Sequence, residues 1–348
     1  MAYTIVKKST DYFNTKTWTG TGSSNALTGL GFQPDMVWNK IRNSSGSHRL
    51  TDAVRGVTKE IYPDLSETED TQAQGVTAFG TDGFTVGTNA GYNASGSTYA
   101  SWNWKGGTTS GITTNGSTTI TPSAYSFSQT AGISIVKYTG NATAGAKVAH
   151  GLGAVPALIF VKVLDANNNW AVYHKEMGET KAMYLDSNHA ETTDGWLNDT
   201  APDNVNFTLS GGNYGNTANT HIAYCFAETT GFSKFGKFTG NGDLDGPFCY
   251  TGFKPAFVII KNTVTSSDWN IYDNRRSTSS GYNVVDYSIV ANSNGAEDTS
   301  TSYNDIDILS NGFKIREDNG DCNGTGQKMI YIAFAAEPLV GDNPATAR

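Results

Sequence analysis

Residues 138–162 read YTGNATAGAKVAHGLGAVPALIFVK, and their pattern recurs twice more in the chain. Trp18 to Lys40 reads WTGTGSSNALTGLGFQPDMVWNK, and Phe238 to Lys261 reads FTGNGDLDGPFCYTGFKPAFVIIK. Each opens with an aromatic residue and Thr-Gly (Thr19-Gly20, Thr139-Gly140, Thr239-Gly240). Each reaches a Gly-x-x-Pro step (Gly31 and Pro34, Gly153 and Pro156, Gly252 and Pro255), and the same interval separates each proline from Lys40, Lys162 or Lys261. Internal repetition decides a fold before any local signal does. PALIFVK and PAFVIIK are short unbroken apolar runs bounded by Gly and Pro, the signature of a strand buried on both faces. The proline cannot donate to a ladder, so it belongs at the strand's start.

The landmarks continue in register. After each lysine come His48, Trp170 and Trp269, then Asp52, His174 and Asp273. Acidic-threonine loops follow at Glu69-Asp70-Thr71, Glu191-Thr192-Thr193 and Glu297-Asp298-Thr299. A strand centred on Phe84, Phe207 or Phe313 comes next, and YASWNWKG, HIAYCFAE or MIYIAFAAE closes the unit. In a period-two strand Trp102 shares a face with Trp104, Tyr224 with Phe226, and Ile332 with Phe334, which predicts core roles. The expected fold is all-β, three tandem β-sandwich or jelly-roll-like repeats. The boundaries are 1–106, 131–230 and 231–340, with a Gly/Ser/Thr-rich linker or arm over 107–130 and a loose tail over 341–348. Tyr125 and Phe127 alternate in the arm and are candidates to pair with a neighbouring sheet. KEMGETKAMYL (175–185) is the best helical candidate, and Trp170 and Trp269 are expected to be buried.

Composition agrees. Charged residues make up 16% of the chain, below the usual ~25%, and Ser, Thr, Asn and 39 glycines take their place. Those residues build turns rather than surface helices. A net charge of -8, without a Lys/Arg run, argues against nucleic-acid binding. No apolar stretch is long enough to span a membrane, and MAYTIVKKSTDYFNTK lacks a secretory h-region, so a soluble, non-exported chain is expected.

The motifs that could carry chemistry are weak. NGDLDG (241–246) alternates oxygen ligands, but Gly252 stands where a calcium loop needs a bidentate Glu, so Asx-turns are expected. The five histidines form no i,i+4 pair, and Cys225, Cys249 and Cys322 are too scattered for zinc or a disulfide framework; buried free thiols are expected. There is no nucleophile elbow and no phosphate loop. Asp64, Glu67, Glu69 and Asp70 recur as one loop per repeat, unlike a catalytic carboxylate pair. No catalytic residue, cofactor or metal site is therefore assigned, and the chain is expected not to be an enzyme.

The pattern aromatic-TG…G-x-x-P…apolar-K…, closing with AYCFAE or YIAFAAE, resembles a β-domain of tail-fibre and other virion structural proteins of marine bacteriophages, including cyanophages. LTDAVRGVTKEIYPD…VTAFGTDGFTVGTN…SWNWKGG is similar to its commoner form, and NHAETTDGWLNDTAPDN in the second copy departs from it. The resemblance implies a fibre or surface-appendage component made in the bacterial host cytoplasm and located at the virion surface. Its implied partners are other virion proteins, with a homo-oligomer, a trimer foremost, as the assembly. A host surface polysaccharide is the alternative partner, and a capsid decoration or tail adaptor without a ligand is the other alternative. The segment from Asp273 to Phe313 is the longest of the three equivalents, and it is expected to expose Arg275, Arg276 and Tyr282 as a binding surface.

Overall fold

A computed structural model describes residues 4–212, 214–277, 283–300 and 306–338. The chain is all-β, with several antiparallel sheets and helices of no more than one turn. One strand order occurs in three successive segments: the opening strand pairs with the closing strand, which pairs with the strand after the proline, which pairs with the next. In segment 1 these are Phe13–Thr19, Thr98–Trp104, Met36–Ile41 and Arg49–Asp52. Segment 2 has Ile133–Thr139, Thr220–Phe226, Leu158–Val163 and Ala171–His174. Segment 3 has Ser233–Thr239, Lys328–Pro338, Phe253–Asn262 and Trp269–Asp273. A smaller outer sheet covers one face of each, built on Asn25–Thr28, Ala146–Ala149 and Phe248–Tyr250.

The apolar runs follow from what lies on the two faces. In segment 2, Ile159 and Val161 face the outer sheet and pack with Val148, Phe207 and Leu209. Leu158 and Phe160 point the other way, into a core shared with Trp38, Trp102 and Trp104 of segment 1 and Phe257, Ile259 and Phe334 of segment 3. Strands packed on both sides carry continuous rather than alternating hydrophobicity. The closing strands bring one ring each to the centre. Trp104 and Phe334 lie 5.5 Å apart, Phe226 and Phe334 5.7 Å, and Trp104 and Phe226 6.4 Å.

The landmarks have physical causes. A Cβ on Gly20, Gly140 or Gly240 would sit 2.1–2.4 Å from the carbonyl oxygen of Ala94, Thr217 or Gly324. The opening strand crosses that backbone so closely that only glycine fits. Gly31, Gly153 and Gly252 take φ of +85°, +68° and +83°, which explains the glycine of each Gly-x-x-Pro step. Pro34 and Pro156 precede their strands as expected, whereas Pro255 lies inside Phe253–Asn262, where the register shifts on both sides of it. A bulge there accommodates the missing donor.

Two expectations are refined. The helical candidate 175–185 is a turn followed by the strand Lys181–Tyr184, with Gly178 at φ +85°. Within the arm, Ala124–Ser128 pairs with Ile133–Thr139, and Ile120 bridges to Val148. Trp170 and Trp269 are fully buried. The tail over 341–348 lies outside the described residues.

Because the three sheets share one core, removing a central ring should weaken all of them together. Trp104→Ala should cost about 3–5 kcal/mol in denaturant unfolding while the transition remains single. A second transition, or a loss below about 1 kcal/mol, would contradict the shared core.

Candidate functional site

The polar chemistry of the chain concentrates at the seams between segments. Each acidic loop docks on the next segment through one main-chain bond. Glu69 N–H donates to Leu164 O (2.8 Å), Glu191 N–H to Thr263 O (2.9 Å) and Glu297 N–H to Arg42 O (2.8 Å). Segment 1 thus grips segment 2, segment 2 grips segment 3, and segment 3 grips segment 1. Side chains repeat the circuit: Trp170 Nε1 donates to Tyr62 O (2.8 Å) and Trp269 Nε1 to Tyr184 O (3.0 Å). His48 Nε2, at the equivalent position, lies 3.0 Å from Val290 O.

Lys40, Lys162 and Lys261 end the post-proline strands with their side chains buried. Lys162 Nζ donates to Ser66 O (3.1 Å) and Asn168 O (2.9 Å), and Lys261 Nζ to Asn188 O (3.2 Å) and Ser267 O (2.6 Å), so each holds a loop of the preceding segment. Lys40 Nζ donates to Ile41 O (2.8 Å). Burial lowers all three pKa values to about 8.

Deeper in two seams, a buried carboxylate binds an arginine three residues on and an aromatic donor from the neighbour. Asp52 receives Arg55 Nε (2.5 Å) and Tyr224 Oη (2.6 Å), and Arg55 reaches Glu69 (3.4 Å). Asp273 receives Arg276 Nε and Trp102 Nε1 (2.8 Å), and Arg276 reaches Glu297 (2.8 Å). Burial works against the Arg276 charge, yet Asp273 and Glu297 hold its pKa above the ordinary guanidinium value. The third seam replaces the whole set by His174, Met177 and Ile332, with His174 Nε2 3.2 Å from Tyr331 O.

These contacts correct the expected binding surface. Arg276 is 1% exposed; its guanidinium is consumed by Asp273, Glu297 and the Ile271 carbonyl and cannot anchor an external partner. Arg275 is exposed and lines an open cleft of about 350 Å³ between segments 1 and 3, with Thr10, Asn14, Asn274 and Glu337. Tyr282 lies outside the described residues. In NGDLDG, Asn241 and Asp243 accept backbone N–H groups as Asx-turns, and Asp245 pairs with Lys314 (2.9 Å). Among the described residues, no group of three His, Cys, Asp or Glu is placed to hold a metal ion, and no helix is long and apolar enough to cross a membrane. The three cysteines are free and buried, and burial raises their thiol pKa values, Cys249 to about 12.

Sequence reasoning missed Asn93, Asn216 and Asn323, which are buried ahead of the closing strands. Each Oδ1 accepts the N–H of Thr21, Asn141 or Asn241 (2.9 Å in all three), just past the Thr-Gly landmark. Each Nδ2 donates to Gly87, Ser210 or Glu317 O. The shared asparagine ahead of the closing strand was the available signal.

A family model described as a domain of unknown function (DUF7483) matches residues 8–338 in one span through all three segments. No curated protein and no solved structure gives a match.

The buried histidines set the pH response. His48, His150 and His174 each accept a hydrogen bond at Nδ1, from Trp38 Nε1, Leu152 N–H and Glu176 N–H. Each also has Nε2 on a carbonyl, so the neutral ring is the one that fits. Burial lowers the pKa to about 4 for His150, His174 and His221, and well below 6.5 for His48. Their contribution is complete above pH 6.5 and is lost as pH falls towards 4, at up to about 1.4 kcal/mol per group per pH unit. Asp64, raised to about 6 by burial, and Asp35 and Asp186, also raised by burial, oppose this as pH falls, but the four histidines outnumber them. The denaturation midpoint should therefore drop steadily from pH 6.5 to 4.5. A flat or rising midpoint across that window would refute the neutral-histidine assignment.

Proposed function

The chain belongs to the family described as a domain of unknown function (DUF7483), and we propose that it is a non-enzymatic structural component of a bacteriophage particle. In this proposal it is a fibre or surface-appendage protein, made in the host cytoplasm and placed at the virion surface. There it contacts other virion proteins and takes part in host attachment. The observation that carries the proposal is the closed circuit of seams. Asp52 and Asp273, held in place by Arg55 and Arg276, and Lys162 and Lys261, groups of the kind an active site presents to substrate, are turned inward and bond across the seams. Chemistry of that sort yields rigidity, which a particle part exposed outside the cell requires without disulfides. In the particle the chain assembles as a homo-oligomer, a trimer foremost. A net charge of -8 also suits a protein that must stay clear of packaged nucleic acid.

Immunogold labelling of purified virions with antibody to this chain tests the proposal. Label at a fixed peripheral position is the expected result. Unlabelled particles, with the protein only in the soluble fraction of the lysate, would count against a structural role.

A further inference from the structure

The outer sheet of each segment ends in an equivalent edge strand, and the chain treats that edge in three different ways. Register fixes the correspondence: Leu27 lies opposite Phe84, Val148 opposite Phe207 and Cys249 opposite Phe313. Ala26, Lys147 and Phe248 are therefore equivalent, as are Thr28, Ala149 and Tyr250.

In segment 2 the edge is filled by the chain itself. Thr119 and Ile120 donate their N–H groups to Lys147 O (3.0 and 2.9 Å), Lys147 N–H donates to Thr119 Oγ1 (2.7 Å), and Ala149 N–H donates to Ile120 O (3.4 Å). Ile120 forms a parallel bridge with Val148 and is buried. In segment 1 the edge is blunted: Ala26 and Thr28 are small, and the Lys16 ammonium takes the Thr28 carbonyl (2.6 Å). A lysine at an edge is a common guard against strand addition.

Among the described residues, segment 3 carries no added strand and no lysine bonded to Phe248–Tyr250; the Tyr331 hydroxyl donates to the Tyr250 carbonyl (3.5 Å), the equivalent of Thr28 O, and leaves the Phe248 main chain uncovered. Phe248 and Tyr250 stand 46% and 59% exposed, with Leu244 at 62% just upstream. Ile315 N–H donates to Pro247 O and Thr251 N–H to Asn311 O, so the alternation of an antiparallel ladder turns the main chain of Phe248 away from its own sheet. The Phe248 ring lies over Gly312, and the Tyr250 hydroxyl lies near Gly252, where added Cβ atoms would sit 3.0 and 3.6 Å away. Two aromatic side chains thus flank an edge that no described strand covers, at the position where segment 2 receives a strand.

We propose that this edge is a docking site for an extended polypeptide strand supplied by another protein. The strand is rich in Thr and Ser, with an aliphatic side chain at the place Ile120 takes in segment 2. It adds to Phe248–Tyr250 as residues 118–120 add to Lys147–Ala149, with main-chain hydrogen bonds giving the pairing and the two rings covering the incoming side chain. The proposal stands whether or not the protein belongs to a virion.

The test uses the full chain and a fluorescein-labelled peptide of residues 115–128, NGSTTITPSAYSFS, titrated by fluorescence anisotropy. Saturable binding is expected. It should weaken at least tenfold in the double variant Phe248→Pro, Tyr250→Pro, which removes both rings and the two outward N–H groups equivalent to those by which Lys147 and Ala149 hold residues 119–120. A peptide N-methylated at the amides of Thr119 and Ile120 should bind the unaltered chain at least tenfold more weakly, a reading independent of how the variant folds. No saturable binding, or equal binding to both proteins and by both peptides, overturns the proposal. So does capture of a glycan by the unaltered chain that the double variant loses, which assigns the rings to sugar. Concentration-dependent self-association lost in the variant overturns it too, by assigning the edge to a second copy.

Discussion

Three sheets in this chain have no second apolar layer of their own on the inner side, and each finds it in the other two. Trp104, Phe226 and Phe334 meet at the centre from three closing strands, and the rest of the architecture serves that meeting. Burial on both faces demands the unbroken hydrophobicity of LIFVKV and FVII. It also demands that the opening strand pass tightly under the turn ahead of the closing strand, which fixes the Thr-Gly landmark. A single core of this size accounts for how a chain with so few charges forms one body.

Around the core, polar groups give direction to what apolar packing would leave loose. Hydrophobic contact alone would tolerate sliding of one segment on another; a buried Asp with one Arg and one neighbouring indole or phenol does not. The third seam is informative because all its members change together. His174 stands for aspartate, Met177 for arginine and Ile332 for the aromatic donor. Asp52 or Asp273 without its arginine would be a buried unpaired charge, so the set exchanges as a unit. The mixture also makes the chain distinguish its own seams, so that each segment has one correct neighbour.

Much of the fold was legible in the sequence, because core strands, special glycines and prolines are local signals. The landmark spacings locate every opening, post-proline and closing strand. What stayed hidden was non-local. Arg276 looked like an exposed anchor because a sequence shows its polar neighbours but not Glu297 and Trp102 folded against it. The Asp-x-x-Arg spacing shared by Asp52/Arg55 and Asp273/Arg276, and absent at His174/Met177, held the correct answer. The 175–185 stretch looked helical because a short run with one glycine carries no decisive period, and its pairing partner lies across the sheet. The exposure of Phe248 and Tyr250 was not legible either, since only register with Ala26, Thr28, Lys147 and Ala149 reveals it.

The account rests on the three segments standing or falling as one cooperative body. Native-state hydrogen exchange in increasing denaturant measures this strand by strand. The amides of Thr98–Trp104, Thr220–Phe226 and Lys328–Pro338 should merge onto one opening free energy with the same denaturant dependence. If one closing strand opens at markedly lower free energy while the other two remain protected, the segments are separate domains in contact, and the shared core is not what holds the protein together.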